Sequence, residues 1–304
     1  MSRQATFTQD IDLATLITEY GSEERCRAYL EELRWPDGVM CPRCSSDRIS
    51  RIKGRGQFDC DACRYQFSVT AGTILHDSHL PLWKWFLAAY VTGESKKGMS
   101  ANQLKRMLGV SYKTAWYLSH RIRSAMKDGD FQPLSGIVEA DETYVGQHSP
   151  GGFGRQTGPN RAVVLGVVQR GGRVRLKVTD RPSSKNIHAF LDESVEDADA
   201  LFTDEWRSYI HALEGTPHGT VGHRKKQWVQ GDIHTQTIES VWSLLKRSII
   251  GSYHHLSVKH LDAYLDEMAF RYNNRENAYL FRDTLLRLIG AEGMTYSELI
   301  GAAS

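Results

Sequence analysis

The sequence is poor in cysteine, with five residues in 304, and poor in proline, with eight. Five thiols are too few for a disulfide framework and cannot all pair. This points to a reducing, cytoplasmic setting in which thiols serve a metal or a core. No run of about 18 apolar residues occurs, so no membrane-spanning helix and no membrane partner are expected. The N-terminus, MSRQATFTQD, lacks a basic stretch followed by an apolar one and does not read as a secretory signal. There is no internal repeat. An excess of one charge is also missing: 38 Lys and Arg face 36 Asp and Glu, a net charge of +2. That balance excludes a polybasic tail protein. What remains is 40% hydrophobic and 24% charged, enough to fill a core. At about 150 residues per domain, the length suits two domains with a small extra module.

The near-zero net charge conceals blocks of opposite sign. Residues 1–40 carry four Arg against eight acids, residues 41–127 carry 15 Lys and Arg against five acids, and residues 181–214 carry three against eight. A basic block followed by a more acidic one suggests a part that grips a polyanion, feeding a catalytic part. A solvated surface with chance asymmetry would look the same by charge alone.

Apolar spacing predicts a helix over 10–34, broken at Gly21-Ser22, with Ser22 capping its second half. Residues 39–72 form a compact cysteine-bearing segment. Residues 76–130 read as several helices: Ser100 caps one that ends at Gly109, and Ser111 caps a longer one, a helix-turn-helix pattern. From Gly136 the pattern turns to strands at 137–140, 162–168 and 173–178, with Gly171-Gly172 at a hairpin turn. Helices follow at 185–196, 234–249 and 257–272, with a short strand at 200–203. The Gly-rich piece 146–158, containing His148 and Arg155, reads as a loop. The chain thus divides into an N-terminal helical segment (1–38), a cysteine module (39–72), a helix-turn-helix-like region (76–130), an α/β domain (135–285) and a C-terminal tail (286–304).

Cys41, Cys44, Cys60 and Cys63 form two Cys-x2-Cys pairs separated by 15 residues. Two such knuckles complete a tetrahedron of thiolates around one zinc ion, with no position left open for catalysis. The site is therefore structural, and its metal supplies folding energy. Cys26 lies outside it and reads as a core or surface thiol. Arg51, Lys53 and Arg55 surround the module. Lys97, Lys105, Arg106, Ser111, Lys113, Arg121 and Arg123 recur through the helical block and are candidate contacts to DNA phosphates and bases.

Three acids stand out in the α/β part. Asp141 lies at or just past the end of a buried-looking strand, Asp204 follows a short apolar stretch, and Glu239 sits on a helix. They can converge at one sheet edge. Carboxylates so placed repel one another unless cations neutralise them. They suit a two-ion site that clamps the attacking and leaving oxygens of a phosphodiester, with hard oxygen ligands favouring Mg²⁺ or Mn²⁺. Glu139, Glu142 and Glu205 compete as ligands; by strand alternation Glu139 shares a face with Asp141 and Glu142 points away. Lys246 shares the helical face of Glu239 and, with Arg247, is a candidate contact to a DNA phosphate. His234 is off that face and flanks the site.

These motifs resemble a known family. Glu139-Ala-Asp141-Glu142-Thr143-Tyr144-Val145-Gly146 is similar to the first signature of the ISXO2-like, or IS1595-type, DDE transposases. The runs His234–Arg247 and Gly251–Leu261 are similar to the second, and Phe270–Arg275 to the end of the family's core. The cysteine pairs and the Lys97–Leu104 region resemble its N-terminal part. The resemblance implies an RNase H-like catalytic fold behind a zinc ribbon, with Asp141, Asp204 and Glu239 on the DDE positions. It implies divalent-metal-dependent nicking at the ends of an insertion sequence, and attack of the freed 3′-hydroxyl on target DNA. It also implies double-stranded DNA as partner and a homodimer or larger assembly on it. Gln236 stands where the family often has Asn, and Gln147 where it often has Gly. Two other functions remain open on the residues: a DNA-binding regulator with a repurposed nuclease-like domain, and a metal-dependent endonuclease that cuts without joining.

Overall fold

The computed structural model describes residues 11–127, 129, 132–146, 161–222 and 231–301. Gln147, His148 and Arg155, with most of the Gly-rich stretch, lie outside them. The chain forms two compact units. One comprises the chain up to Ser95, Met99–Met126 and the segment from Glu276 onward; the other comprises Lys96–Gly98 and Lys127–Arg275.

The first unit begins with α1 (Leu13–Tyr20) and α2 (Glu23–Arg34), separated at Gly21-Ser22. The Ser22 hydroxyl accepts the Arg25 N–H at 3.3 Å and so starts α2. A small antiparallel sheet follows: β1 (Ile49–Ile52), β2 (Gln57–Cys60) and β3 (Gln66–Phe67). Its core is Phe58, Phe67 and Ala71 with the edge of Trp35, whose ring centroid lies 5.6 Å from that of Phe58. Then come α3 (Leu82–Glu94), α4 (Ala101–Leu108) and α5 (Tyr112–Met126). Ser100 caps α4 through the Gln103 N–H, and Gly109 ends it in the left-handed conformation that a residue without Cβ adopts freely. Ser111 caps α5 through the Thr114 N–H at 3.1 Å.

The second unit is a five-stranded sheet. Its strands are β4 (Leu134–Gly146), β5 (Arg161–Gln169), β6 (Val174–Thr179), β7 (Val195–Asp204) and β8 (His218–Val221). Their spatial order is β6-β5-β4-β7-β8. The pairs β4/β5 and β5/β6 are antiparallel; β4/β7 and β7/β8 are parallel. One face packs on α6 (Ser184–Asp192), with Val138, Ala140, Leu165, Phe190 and Leu201 in the core. The other packs on α7 (Gln236–Ser248) and α8 (Leu261–Asn273), with Val164, Val241, Trp242, Leu245 and Leu265. The alternation along β4 sends even-numbered residues to α6 and odd-numbered ones to α7.

Two features depart from the sequence reading. The short parallel strand β8 carries no apolar run of its own and was not anticipated. Residues 276–301, divided at 285 by the sequence reading between catalytic domain and tail, form α9 (Leu280–Gly290) and α10 (Tyr296–Ile300) within the first unit. Phe281, Leu285 and Leu288 of α9 are buried there, the Phe281 ring 5.7 Å from that of Phe86 on α3. Among the described residues no helix is long and apolar enough to cross a membrane.

Candidate active site

Asp141 lies in the middle of β4, not at its end. It extends β4 past the point where its parallel neighbour is paired. The β4/β7 register runs to Glu139 opposite Phe202, and two residues further along come Asp141 on one strand and Asp204, the last residue of β7, on the other. On its other side Asp141 pairs with Gly166 of β5. The ladder with β5 thus continues past Asp141 while the pairing with β7 stops two residues before it, and the first turn of α7 carries Glu239 to the same groove.

The Asp141 carboxyl is half-buried, and its pKa is raised to about 6. Burial is the largest cause, followed by the charge of Asp204 and then, more weakly, that of Glu239. Acting against this, the Trp242 indole N–H donates to Asp141 Oδ2 at 2.9 Å. Asp204 Oδ1 accepts the Trp206 N–H at 2.9 Å, and Glu239 Oε1 accepts the Thr235 hydroxyl at 3.1 Å. Among the described residues only the cysteine cluster brings three or more His, Cys, Asp or Glu ligand atoms within 4.8 Å of one another. The three acids are therefore spread more widely than the ligands of one ion. Asp141 and Glu239 line a groove of about 470 Å³ with Ser243, Lys246, Arg247 and Ile250. Hard oxygen donors and mutual repulsion are what a divalent cation relieves, and the residues fit Mg²⁺ or Mn²⁺ on that ground.

The competing acids divide less sharply than strand alternation predicts. Glu142 Oε2 accepts the buried Tyr209 hydroxyl at 3.0 Å, yet Glu142 also lines the groove with Asp141 and Glu239. Glu205 is exposed beside Asp204. Glu139 shares the Asp141 face but is fully buried and enclosed by donors, including Arg170 Nε at 2.7 Å. His234 Nδ1 lies 3.3 Å from Glu139 Oε1 and does not approach the three acids by any hydrogen bond.

Sequence reasoning missed Gly166. A Cβ there would lie 2.5 Å from the Trp242 ring. Glycine at the strand position facing Asp141 is what admits the indole that holds the carboxylate. Its signal was a lone glycine inside the run Ala162–Gln169. Trp242 was read only as core; it is buried, and its N–H reaches the site.

In the cysteine module, Cys41 and Cys63 sulfurs lie 3.7 Å apart and Cys44 and Cys60 sulfurs 3.6 Å apart. Four sulfurs each about 2.3 Å from one tetrahedral ion stand about 3.8 Å apart along every edge. The cluster can bind a metal as it stands. Cys26 is separate and buried, its S–H donating to the Tyr20 carbonyl at 3.1 Å.

The candidate DNA contacts divide into two sets. Lys53, Arg55, Lys97, Lys105, Arg106, Ser111, Lys113, Lys246 and Arg247 are exposed. Arg51 is exposed too, but it is paired with Glu31 at 2.5 Å and stacked over Phe58. Arg121 and Arg123 do not face solvent as phosphate contacts would: both are buried, 4% and 2% exposed. Arg121 donates to the His76 carbonyl at 2.5 Å and lies over the Trp85 and Tyr117 rings, while Arg123 donates to the Met99 carbonyl. The latter half of α5 is enclosed on nearly every side, so its arginines serve the interior.

A mixed sheet in this order, with helices on both faces, defines an RNase H-like domain. The sequence matches give the domain architecture. Residues 133–273 match the ISXO2-like transposase domain and residues 21–66 the transposase zinc-ribbon domain, so the chain has the architecture of the ISXO2-like, IS1595-family DDE transposases. An uncharacterized protein in transposable element ISH50 of Halobacterium salinarum is 28% identical over 251 residues, covering 76% of this chain and 84% of that protein. Among solved structures, the Mos1 strand transfer complex is similar at 11% identity over 67% of this chain and 75% of that one, with a TM-score of 0.29. The Mos1 mariner paired end complex with Mn gives 11% identity over 91% and 94%, with a TM-score of 0.27. Likenesses this loose bear on neither the site nor the function.

Proposed function

We propose that this protein is a DNA transposase that cleaves strands at the ends of an insertion sequence and joins the freed 3′-hydroxyl to target DNA, with Asp141, Asp204 and Glu239 holding divalent metal. The observation that carries the reading is the Asp141 carboxyl itself: acids 63 and 35 residues apart in the chain act on one another there, beside Lys246 and Arg247. Mg²⁺ or Mn²⁺ ions, when bound, supply charge neutralisation at the attacking and leaving oxygens of the phosphodiester. The protein's part is position and charge. Trp242 fixes one oxygen of Asp141, Thr235 fixes one of Glu239, and Lys246 and Arg247 offer cations to a strand lying along the groove.

DNA affinity comes from elsewhere on the chain. The zinc-held ribbon presents Lys53 and Arg55. The pair α4–α5 presents Lys105, Arg106, Ser111 and Lys113, the last two at the start of α5 where a reading helix meets bases. A homodimer or larger assembly on DNA would bring one carboxylate site to each element end.

The test is Asp141→Asn, assayed in Mg²⁺ with an intact element end for cleavage and with a pre-cut end and plasmid for joining. Strand cleavage and joining should fall to background while DNA binding in a gel-shift assay stays within about threefold. Normal cleavage by this variant would overturn the assignment. For the unaltered protein, cleavage without joined product would favour an endonuclease, and binding alone a regulator.

A further inference from the structure

Glu139 is a fully buried acid for which the proposed chemistry has no use, and its surroundings are unusually complete. Its carboxylate accepts the backbone N–H of Thr237 at 2.7 Å and of Ile238 at 3.1 Å. It also accepts the Thr237 hydroxyl at 2.9 Å and Arg170 Nε at 2.7 Å. Arg170 in turn donates to the His234 carbonyl at 3.0 Å and lies over the Phe202 ring. The two N–H groups belong to the first turn of α7, whose donors have no partner within the helix. The helix lacks a side-chain cap from its own N-cap residue, Thr235. A carboxylate from the sheet caps it instead, where the helix dipole favours negative charge.

The consequence lies with the next acids along the same two elements. Glu239 directly follows Ile238 on α7, and Asp141 lies two residues beyond Glu139 on the same face of β4. We propose that Glu139 is a positioning residue: by gripping the start of α7 it sets the separation of Glu239 from Asp141 and thus the metal affinity of the carboxylate site. This rests on the metal-binding reading above. A buried acid serving only stability would leave the site's affinity for metal unchanged in any variant that still folds.

The experiment titrates Mn²⁺ directly onto the full chain, by calorimetry or by loss of the free-ion EPR signal, with cleavage and gel shifts alongside. The variants are Glu139→Gln, Thr237→Val, Thr237→Ser and Asp141→Asn, each carried in zinc-loaded protein. Glu139→Gln keeps an acceptor oxygen but turns an amide toward Arg170. It should weaken Mn²⁺ binding at the carboxylate site about 10-fold or more, in the range found for groups that orient metal ligands. DNA binding should stay within about threefold. Thr237→Val removes one of the clamp's donors and should weaken Mn²⁺ binding less, with Thr237→Ser restoring it. If Asp141→Asn loses Mn²⁺ binding while folded Glu139→Gln keeps it, positioning by Glu139 is wrong and the carboxylate site stands. If Asp141→Asn itself binds Mn²⁺ normally, the site reading fails first. Should Glu139→Gln not fold, the Thr237 pair decides: equal affinity in the Val and Ser variants overturns the proposal.

Discussion

Asp141 carries the electrostatic cost of the carboxylate cluster. Its pKa rises from 3.8 to about 6, so the fold prefers the protonated acid. Below pH 4 the acid is protonated in folded and unfolded chains alike and contributes nothing. Between pH 4 and 6 the unfolded chain ionises first, and stability falls as pH rises; above 6 the penalty is complete. Two units correspond to at most about 3 kcal/mol. Asp141→Asn should therefore raise the melting temperature of the zinc-loaded protein without other divalent metal at pH 7.5. The gain should vanish near pH 4 and shrink on addition of Mg²⁺; a variant no more stable than its parent at pH 7.5 would mean that burying the ionised acid beside Asp204 and Glu239 carries no cost. Gly166 offers a second, opposite case. Gly166→Ala places a methyl 2.5 Å from the Trp242 ring, where overpacking costs about 1–3 kcal/mol. Thermal unfolding should show that loss, and cleavage should fall with it because the indole leaves Asp141; unchanged melting and rate would remove Trp242 from the account. The three acids and the tryptophan are readable as residue types in sequence. That Gly166 faces Asp141 is not, since strand register across 25 positions of chain is set by pairing.

At the scale of elements, local chemistry was the legible part. Ser22, Ser100 and Ser111 each cap the helix that follows them, because a hydroxyl three residues before a free N–H is a short-range signal. The hairpin at Gly171-Gly172 was legible for the same reason. Asp141 was placed at a strand end because Ile137–Ala140 is the apolar stretch; β4 continues to Gly146 on the strength of its ladder with β5, which no local pattern announces. Strand β8, four residues long, exists only as the parallel partner of β7. Helix α9 carries an apolar stripe at Phe281, Leu285 and Leu288, a helical period that is legible in the sequence. The arginines of α5 misled by charge: Arg121 and Arg123 look like phosphate contacts until the helix carrying them proves to be buried.

For the whole molecule, the chain resolves into two compact units, each with its own core and each close to neutral, so the blocks of opposite charge in the sequence do not map one to a unit. The ribbon is the part least able to stand alone: its core amounts to a few aromatic rings and the cysteines themselves. Structural zinc contributes about 10–16 kcal/mol of apparent binding free energy in comparable small modules, which exceeds what such a core provides. The sheet unit rests instead on two apolar layers, against α6 on one side and α7 and α8 on the other. Removing zinc with a strong chelator, or by Cys44→Ser, should expose the amides of residues 49–67 to hydrogen exchange within seconds. Amides of β4, β5 and β7 should keep their protection. DNA affinity should drop by about 10-fold or more, because Lys53 and Arg55 lose the frame that presents them. Protection lost from β4 and β5 at the same rate as from β1 and β2 would mean that the chain unfolds as one body, and the division of labour between a gripping unit and a cutting unit would fail.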